Sequence, residues 1–333
     1  MELVDTRDLK SLEGNFVPVQ VRLRAPLKML ERYLRDIWKL RLRIILITFA
    51  FGVLSVFIAL NVPNKYKSSV LLSVVDQNSS EISSISSLAS QYGGIASLAG
   101  INLPSAGNSD RSAFAISTIK SRSFLKLLVE KDQQILPKLL ASKSYDASKG
   151  IINFDSRLYD SENSKWIRKP TNQYGVIPTY LELHERFDKE FLSVSQDKVT
   201  GYINLSVIHI SPIFAKDLLD LIVETLNESS RLNDLEESQK ALDYLYKIRL
   251  QSTQDSVKDS INKLIEAQLK TQMMANIQDE YLVSILDESF VPEKKYLPSR
   301  ALICILITFL GFFLCIVFSL SSTLYRDVKS NLN

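Results

Sequence analysis

The sequence predicts an α+β membrane protein in which two transmembrane helices flank an extracytoplasmic α/β base domain carrying one long, extended helix. Three observations support this: a charge-free apolar block near each end, a basic cluster ahead of the first block, and a run from Pro212 to Pro292 with no glycine or proline in between. At about 1.5 Å per helical residue, Ile44–Asn64 matches the roughly 30 Å hydrocarbon slab. Ala301–Tyr325 repeats the pattern between Arg300 and Arg326. A soluble core helix rarely runs so far without a charge. A cleaved signal is disfavoured because some forty residues precede the first block and Leu60-Asn61-Val62-Pro63 lacks small residues at a cut site.

Orientation follows from Arg22, Arg24, Lys28, Arg32, Arg35, Lys39, Arg41 and Arg43, which crowd the first span and should hold the N-terminus in the cytoplasm. The expected organisation is therefore a cytoplasmic segment 1–43, spans 44–64 and 301–325, an extracytoplasmic domain 65–300 and a cytoplasmic tail 326–333. Lys294, Lys295 and Arg300 oppose this mildly, but a long translocated domain crosses largely regardless of charge.

Within the domain, residues 65–76 read as a strand, and Ser79–Asp110 as a serine- and glycine-rich loop. Ser112–Glu130 has helical spacing, and residues 137–178 read as irregular surface structure. Phe191–Val194 and Tyr202–Ile210 read as two strands that join the first in a small mixed sheet. Ser211 caps a helix opened by Pro212. A helix over 212–231 and a longer one over about 235–286 are expected, with apolar positions Leu242, Leu245, Val257, Ile261, Leu264 and Leu269. A narrow apolar stripe on so long a helix must find neighbours, either in other copies or in an intramolecular hairpin; a homo-oligomer is the favoured expectation.

Composition excludes several functions. Lysine plus arginine number 40 against 37 acids, interspersed, so there is no basic field to attract nucleic acid. Cys304 and Cys315 both lie in the second apolar block, leaving the domain without a thiol for a disulfide or metal site. His184 lacks the second histidine of a zinc helix, and His209 falls on a strand with no cysteine near it. Phosphate-binding and nucleophile-elbow glycine patterns are absent. The carboxylate pairs Glu236-Glu237 and Asp279-Glu280 read as solvated helix faces. Neither span carries an acidic or basic side chain, which argues against a pump or channel. The expectation is a non-enzyme with no cofactor, no metal and no catalytic residue.

Several local stretches resemble a known family. Gly93-Gly94-Ile95-Ala96-Ser97-Leu98-Ala99-Gly100-Ile101 is similar to the G-G-x-A-S-L-A-G-I segment of the Wzz polysaccharide co-polymerases, the chain length determinant proteins. Ser121-Arg122-Ser123-Phe124-Leu125 resembles that family's S-R-x-F-L stretch, and Gly201–Ala215 its strand, Ser-Pro and helix. Met274–Tyr281 with Asp287, Val291, Pro292 and Glu293 is similar to the segment before its second span. Of the P-x-x-P-x-x-P motif, Pro292 and Pro298 fit the ends while Lys295 holds the middle position and Ser299-Arg300 follows. The motif residues carried over are Pro292, Pro298 and Arg300.

The resemblance implies a periplasmic base domain with a rising helix, a bell-shaped homo-oligomer in the bacterial inner membrane, and a Wzy-type polymerase as partner acting on lipid-linked polysaccharide. It implies a non-catalytic regulator of lipopolysaccharide O-antigen chain length; the alternative is a capsule or exopolysaccharide export adaptor working with a separate tyrosine kinase. With Asn333 closing the chain, no attached kinase is expected. A third reading, a two-span sensor, is weak because residues 326–333 are too few for an output domain.

Overall fold

The computed structural model describes residues 41–75, 108–171 and 173–332. The basic cluster from Arg22 to Lys39 and the Gly93–Ile101 stretch lie outside the described residues. Two units separate: one holds the two terminal apolar helices, the other spans Val62–Ser299.

The elements run in order as follows. Helix α1, Arg41–Asn61, is followed by strand β1, Tyr66–Val74. Helices α2, Asn108–Ile119, α3, Arg122–Lys131, and α4, Ile135–Leu140, come next. Two short hairpins, β2 Ser142–Asp146 with β3 Ile151–Phe154 and β4 Tyr159–Asp160 with β5 Lys165–Trp166, lead to α5, Tyr180–Arg186, and a π-helical turn, Phe187–Phe191. Strands β6, Leu192–Gln196, and β7, Ile203–His209, precede α6, Pro212–Gln251, and α7, Asp255–Ile277. Strand β8, Val283–Asp287, and helix α8, Arg300–Leu332, complete the described chain.

The domain is built on a four-stranded sheet ordered β6-β7-β1-β8, every neighbouring pair antiparallel. The expected mixed sheet is corrected in two ways. Its first three strands alternate in direction, and a fourth, β8, comes from residues where the end of the long helix is expected. Asp197 and Gly201 explain the β6–β7 reversal: Asp197 Oδ1 accepts from Val199 N at 2.8 Å, and Gly201 takes a positive φ of 75° that few side-chain-bearing residues tolerate.

One face of the sheet is apolar through Val70, Leu72, Ile203, Leu205 and Val207. Against it lies the first half of α6, whose Phe214, Ala215, Leu218, Leu219, Ile222, Val223 and Leu226 recur by threes and fours and are buried. The larger of these side chains each contribute roughly 1.5–3 kcal/mol by leaving water. Helix α3 closes the core with Phe124, Leu125, Leu128 and Val129. Ser121 starts it by accepting from Phe124 N at 3.1 Å.

The long-helix expectation is corrected at both boundaries. No break occurs near Leu235: α6 runs unbroken for 40 residues, because Asn233 and Asp234 cost a helix interior only tenths of a kcal/mol each and the Asp234 carboxylate receives the Tyr281 hydroxyl at 2.6 Å. The chain instead reverses at Ser252-Thr253-Gln254, where the backbone at Ser252 and Gln254 is extended and the Ser252 hydroxyl bonds back to Ile248 O at 3.0 Å. Helix α7 then returns along α6 and ends at Ile277. Leu242 and Leu245 pack against Ile261 and Ile265, flanked by Ile248, Val257 and Leu264. Of the expected stripe, Leu242, Leu245, Val257, Ile261 and Leu264 are therefore covered within the chain, as in the hairpin alternative, while Leu269 stays exposed.

In the other unit, α1 and α8 pack against each other, and most of the apolar side chains described on them face outward. Both are long and apolar enough to cross a membrane. A soluble core helix would bury such residues; these expose Phe49, Phe57, Ile305, Phe309 and Phe318.

Candidate functional site

Among the described residues, no catalytic constellation assembles around either histidine. Both ring nitrogens of the buried His209 are engaged, Nε2 with Lys138 O at 3.0 Å and Nδ1 with Ser211 N at 3.1 Å. Burial, reinforced by the nearby charges of Lys65 and Lys138, pushes its pKa down to about 4. His184 Nε2 lies 2.8 Å from Lys120 O on an exposed surface. Among the described residues no group of three or more His, Cys, Asp or Glu side chains is placed to hold a metal ion.

What the structure does build is a junction where the domain's first strand meets its last segment. Lys65 N donates to Leu297 O at 2.8 Å, and Lys65 O accepts from Tyr296 N at 2.8 Å, an antiparallel bridge between residues more than two hundred positions apart. Three residues on, Ser68 Oγ donates to Phe290 O at 2.9 Å. Ser289 Oγ bonds Asp220, which also holds Lys216 at 2.5 Å; the Asp220 carboxylate raises the Lys216 pKa. The sheet, α6 and the segment after β8 are thus tied together at one edge of the domain.

Of the sequence-predicted motif residues, the structure places Pro292 and Pro298 on this one irregular segment between β8 and α8, both half-buried, the second following a cis peptide bond. Arg300 opens α8 and is half-buried. The Met274–Tyr281 stretch ends α7 and delivers Tyr281, fully buried, to Asp234.

The sequence reading missed Asn227. Buried on α6, it accepts Leu282 N at 2.8 Å and Val283 N at 2.9 Å and donates to Val283 O at 2.9 Å. These three bonds align β8 for pairing with β1. A polar residue between Leu226 and Glu228 gives no local hint of partners fifty-five positions away, so pattern alone could not find it.

Residues 29–131 match the family model of Wzz, the chain length determinant protein. Over these residues the chain is similar to the Wzz chain length determinant family. That match takes in α1, β1, α2 and α3, including the Ser121–Leu125 stretch whose first serine caps α3. No curated protein matches the chain in sequence. Among solved structures, a full-length bacterial polysaccharide co-polymerase is similar at 10% identity, over 88% of this chain and 97% of that one, with a TM-score of 0.41. A fragment of WzzB, a polysaccharide co-polymerase from Salmonella Typhimurium, is similar at 13% identity over 70% of this chain and all of the fragment, with a TM-score of 0.29. The Wzz match takes in Lys65 and Ser68 on the first-strand side of the junction but ends at residue 131, so Pro292, Pro298 and Arg300 fall outside it.

Proposed function

We propose that this protein is a non-catalytic regulator of the chain length of lipopolysaccharide O-antigen. It sits in the bacterial inner membrane with both termini cytoplasmic and residues 65–300 periplasmic. There it works as a homo-oligomeric scaffold with a Wzy-type polymerase on lipid-linked polysaccharide. The observation that carries the reading is the Wzz chain length determinant match over residues 29–131, which spans the first apolar helix and the first strand of the domain. The orientation is supported by the arginines and lysines ahead of α1. A scaffolding role, in preference to catalysis, is supported by both His209 nitrogens being consumed in fold-stabilising bonds.

The test is genetic. Cells with and without the gene are compared by gel electrophoresis of their lipopolysaccharide. Loss of a preferred O-antigen length on deletion, restored by the intact gene, supports the proposal; an unchanged ladder with altered capsule or secreted polysaccharide favours the export adaptor instead. A reporter fused after residue 200 that is active only in the cytoplasm would refute the orientation.

A further inference from the structure

The junction carries a set of exposed side chains that its hydrogen bonds do not explain. Phe290 is 68% exposed, Tyr296 52% and Leu297 42%, although the bridge to Lys65 fixes the backbone of the last two. Lys294 and Lys295 between them are exposed as well, and Lys67 Nζ lies 5.2 Å from the Tyr296 ring centroid. Large apolar and aromatic side chains interleaved with lysines have the composition of the membrane–water interface, where rings bury their bodies and ammonium groups meet phosphates.

Only Val62, Pro63 and Asn64 separate Lys65 from the end of α1, and only Pro298 and Ser299 separate Leu297 from the start of α8. At no more than about 3.5 Å per extended residue, these links keep Lys65 and Leu297 within roughly 14 and 11 Å of the helix ends, so a membrane that holds both helices brings its headgroups within reach of this segment. Lys294 and Lys295, which run against the positive-inside rule, then have a physical role on the outer side of the membrane.

We propose that Phe290, Lys294, Lys295, Tyr296 and Leu297, with Lys67, form a contact surface for phospholipid headgroups that sets the domain on the bilayer. Aromatic and aliphatic side chains enter the interface, and the lysines pair with lipid phosphates. The proposal rests on the membrane-spanning reading of α1 and α8.

The full chain is reconstituted into nanodiscs containing phosphatidylglycerol. An environment-sensitive fluorophore is attached to Phe290→Cys in a Cys304→Ser, Cys315→Ser background. Headgroup-nitroxide lipid should quench it at least twofold, while aqueous iodide quenches it far less than free dye. Adding Lys294→Glu and Lys295→Glu should at least halve the headgroup quenching, with an unchanged circular dichroism spectrum. A probe open to iodide and insensitive to headgroup nitroxide overturns the proposal, as does unaltered quenching in the lysine variant. In parallel, native Cys304 is labelled in Cys315→Ser and challenged with acyl-chain nitroxide. Failure there refutes the membrane span itself; quenching at Cys304 without quenching at position 290 refutes only the headgroup surface.

Discussion

The imidazole of His209 and the backbone N–H of Ser211 form a 3.1 Å hydrogen bond immediately before the longest helix of the domain, and Ser211 in turn caps that helix through Phe214 N. Because Nδ1 is the acceptor, the proton of the neutral ring sits on Nε2, where Lys138 O receives it at 3.0 Å. A second proton would place two N–H groups face to face at the helix start.

That arrangement predicts a pH dependence of stability. Unfolded His209 titrates near 6.5, folded His209 at about 4, so the unfolded chain takes the proton first. Its contribution is complete above pH 6.5 and is lost as pH falls toward 4, by about 3 kcal/mol. Denaturant unfolding of the purified protein between pH 7 and 4 should show the fall, and His209→Gln should flatten it. An equal slope in the variant would assign the effect elsewhere.

Asn227 predicts a stability loss of a different kind. Asn227→Ala strands two buried N–H groups, at Leu282 and Val283, and should cost about 3 kcal/mol. Hydrogen exchange resolves the cause: amide protection should drop first along β8, with α3 unaffected. Uniform loss of protection would mean that Asn227 supports the whole core and not the placement of one strand.

Arg168 and Glu182 form a bidentate pair at 2.5 and 2.6 Å, both side chains largely buried, while Arg168 Nε also donates to Gly175 O at 2.8 Å. The Glu182 hydrogen bonds raise the Arg168 pKa. Removing either partner leaves the other charged and dry, so Arg168→Met and Glu182→Leu should each cost about 3–5 kcal/mol, and the double variant less than their sum. Additive losses in a double-mutant cycle would show that the two groups are not coupled.

These sites also mark where the sequence was legible. Local pattern located β1, β6, β7, the Ser211-Pro212 helix start and both apolar helices, because each follows from side-chain alternation, a cap within a few residues or an unbroken apolar run. The reversal at Ser252-Thr253-Gln254 carries neither glycine nor proline, and its cause is tertiary: Ile261 and Ile265 must come back onto Leu242 and Leu245. Strand β8 is hidden from a local window because its partners, β1 and Asn227, lie far from it in the sequence. The assignment of Pro292, Pro298 and Arg300 to a motif rests on the family resemblance alone, while the Lys65–Leu297 bridge beside them has no sequence signal.

The paired apolar helices yield the last prediction. A Cβ added at Gly311 would come within 2.5 Å of Phe51 Cγ, closer than carbon atoms approach, whereas one at Gly52 would sit 3.9 Å from Thr308 Oγ1. Glycine at 311 is therefore what lets the backbone of α8 approach the Phe51 ring, the small-residue packing by which helices associate in lipid. Cysteines replacing Gly52 and Thr308, in a background with Cys304→Ser and Cys315→Ser, should form a disulfide under mild oxidation in detergent or bilayer. Adding Gly311→Val should slow that crosslink at least severalfold, and Phe51→Ala should partly restore it by vacating the space the new side chain needs. If Gly311→Val leaves the crosslinking rate unchanged, the helices do not meet at Gly311 and Phe51. Slowing without any rescue by Phe51→Ala would place the clash on another side chain.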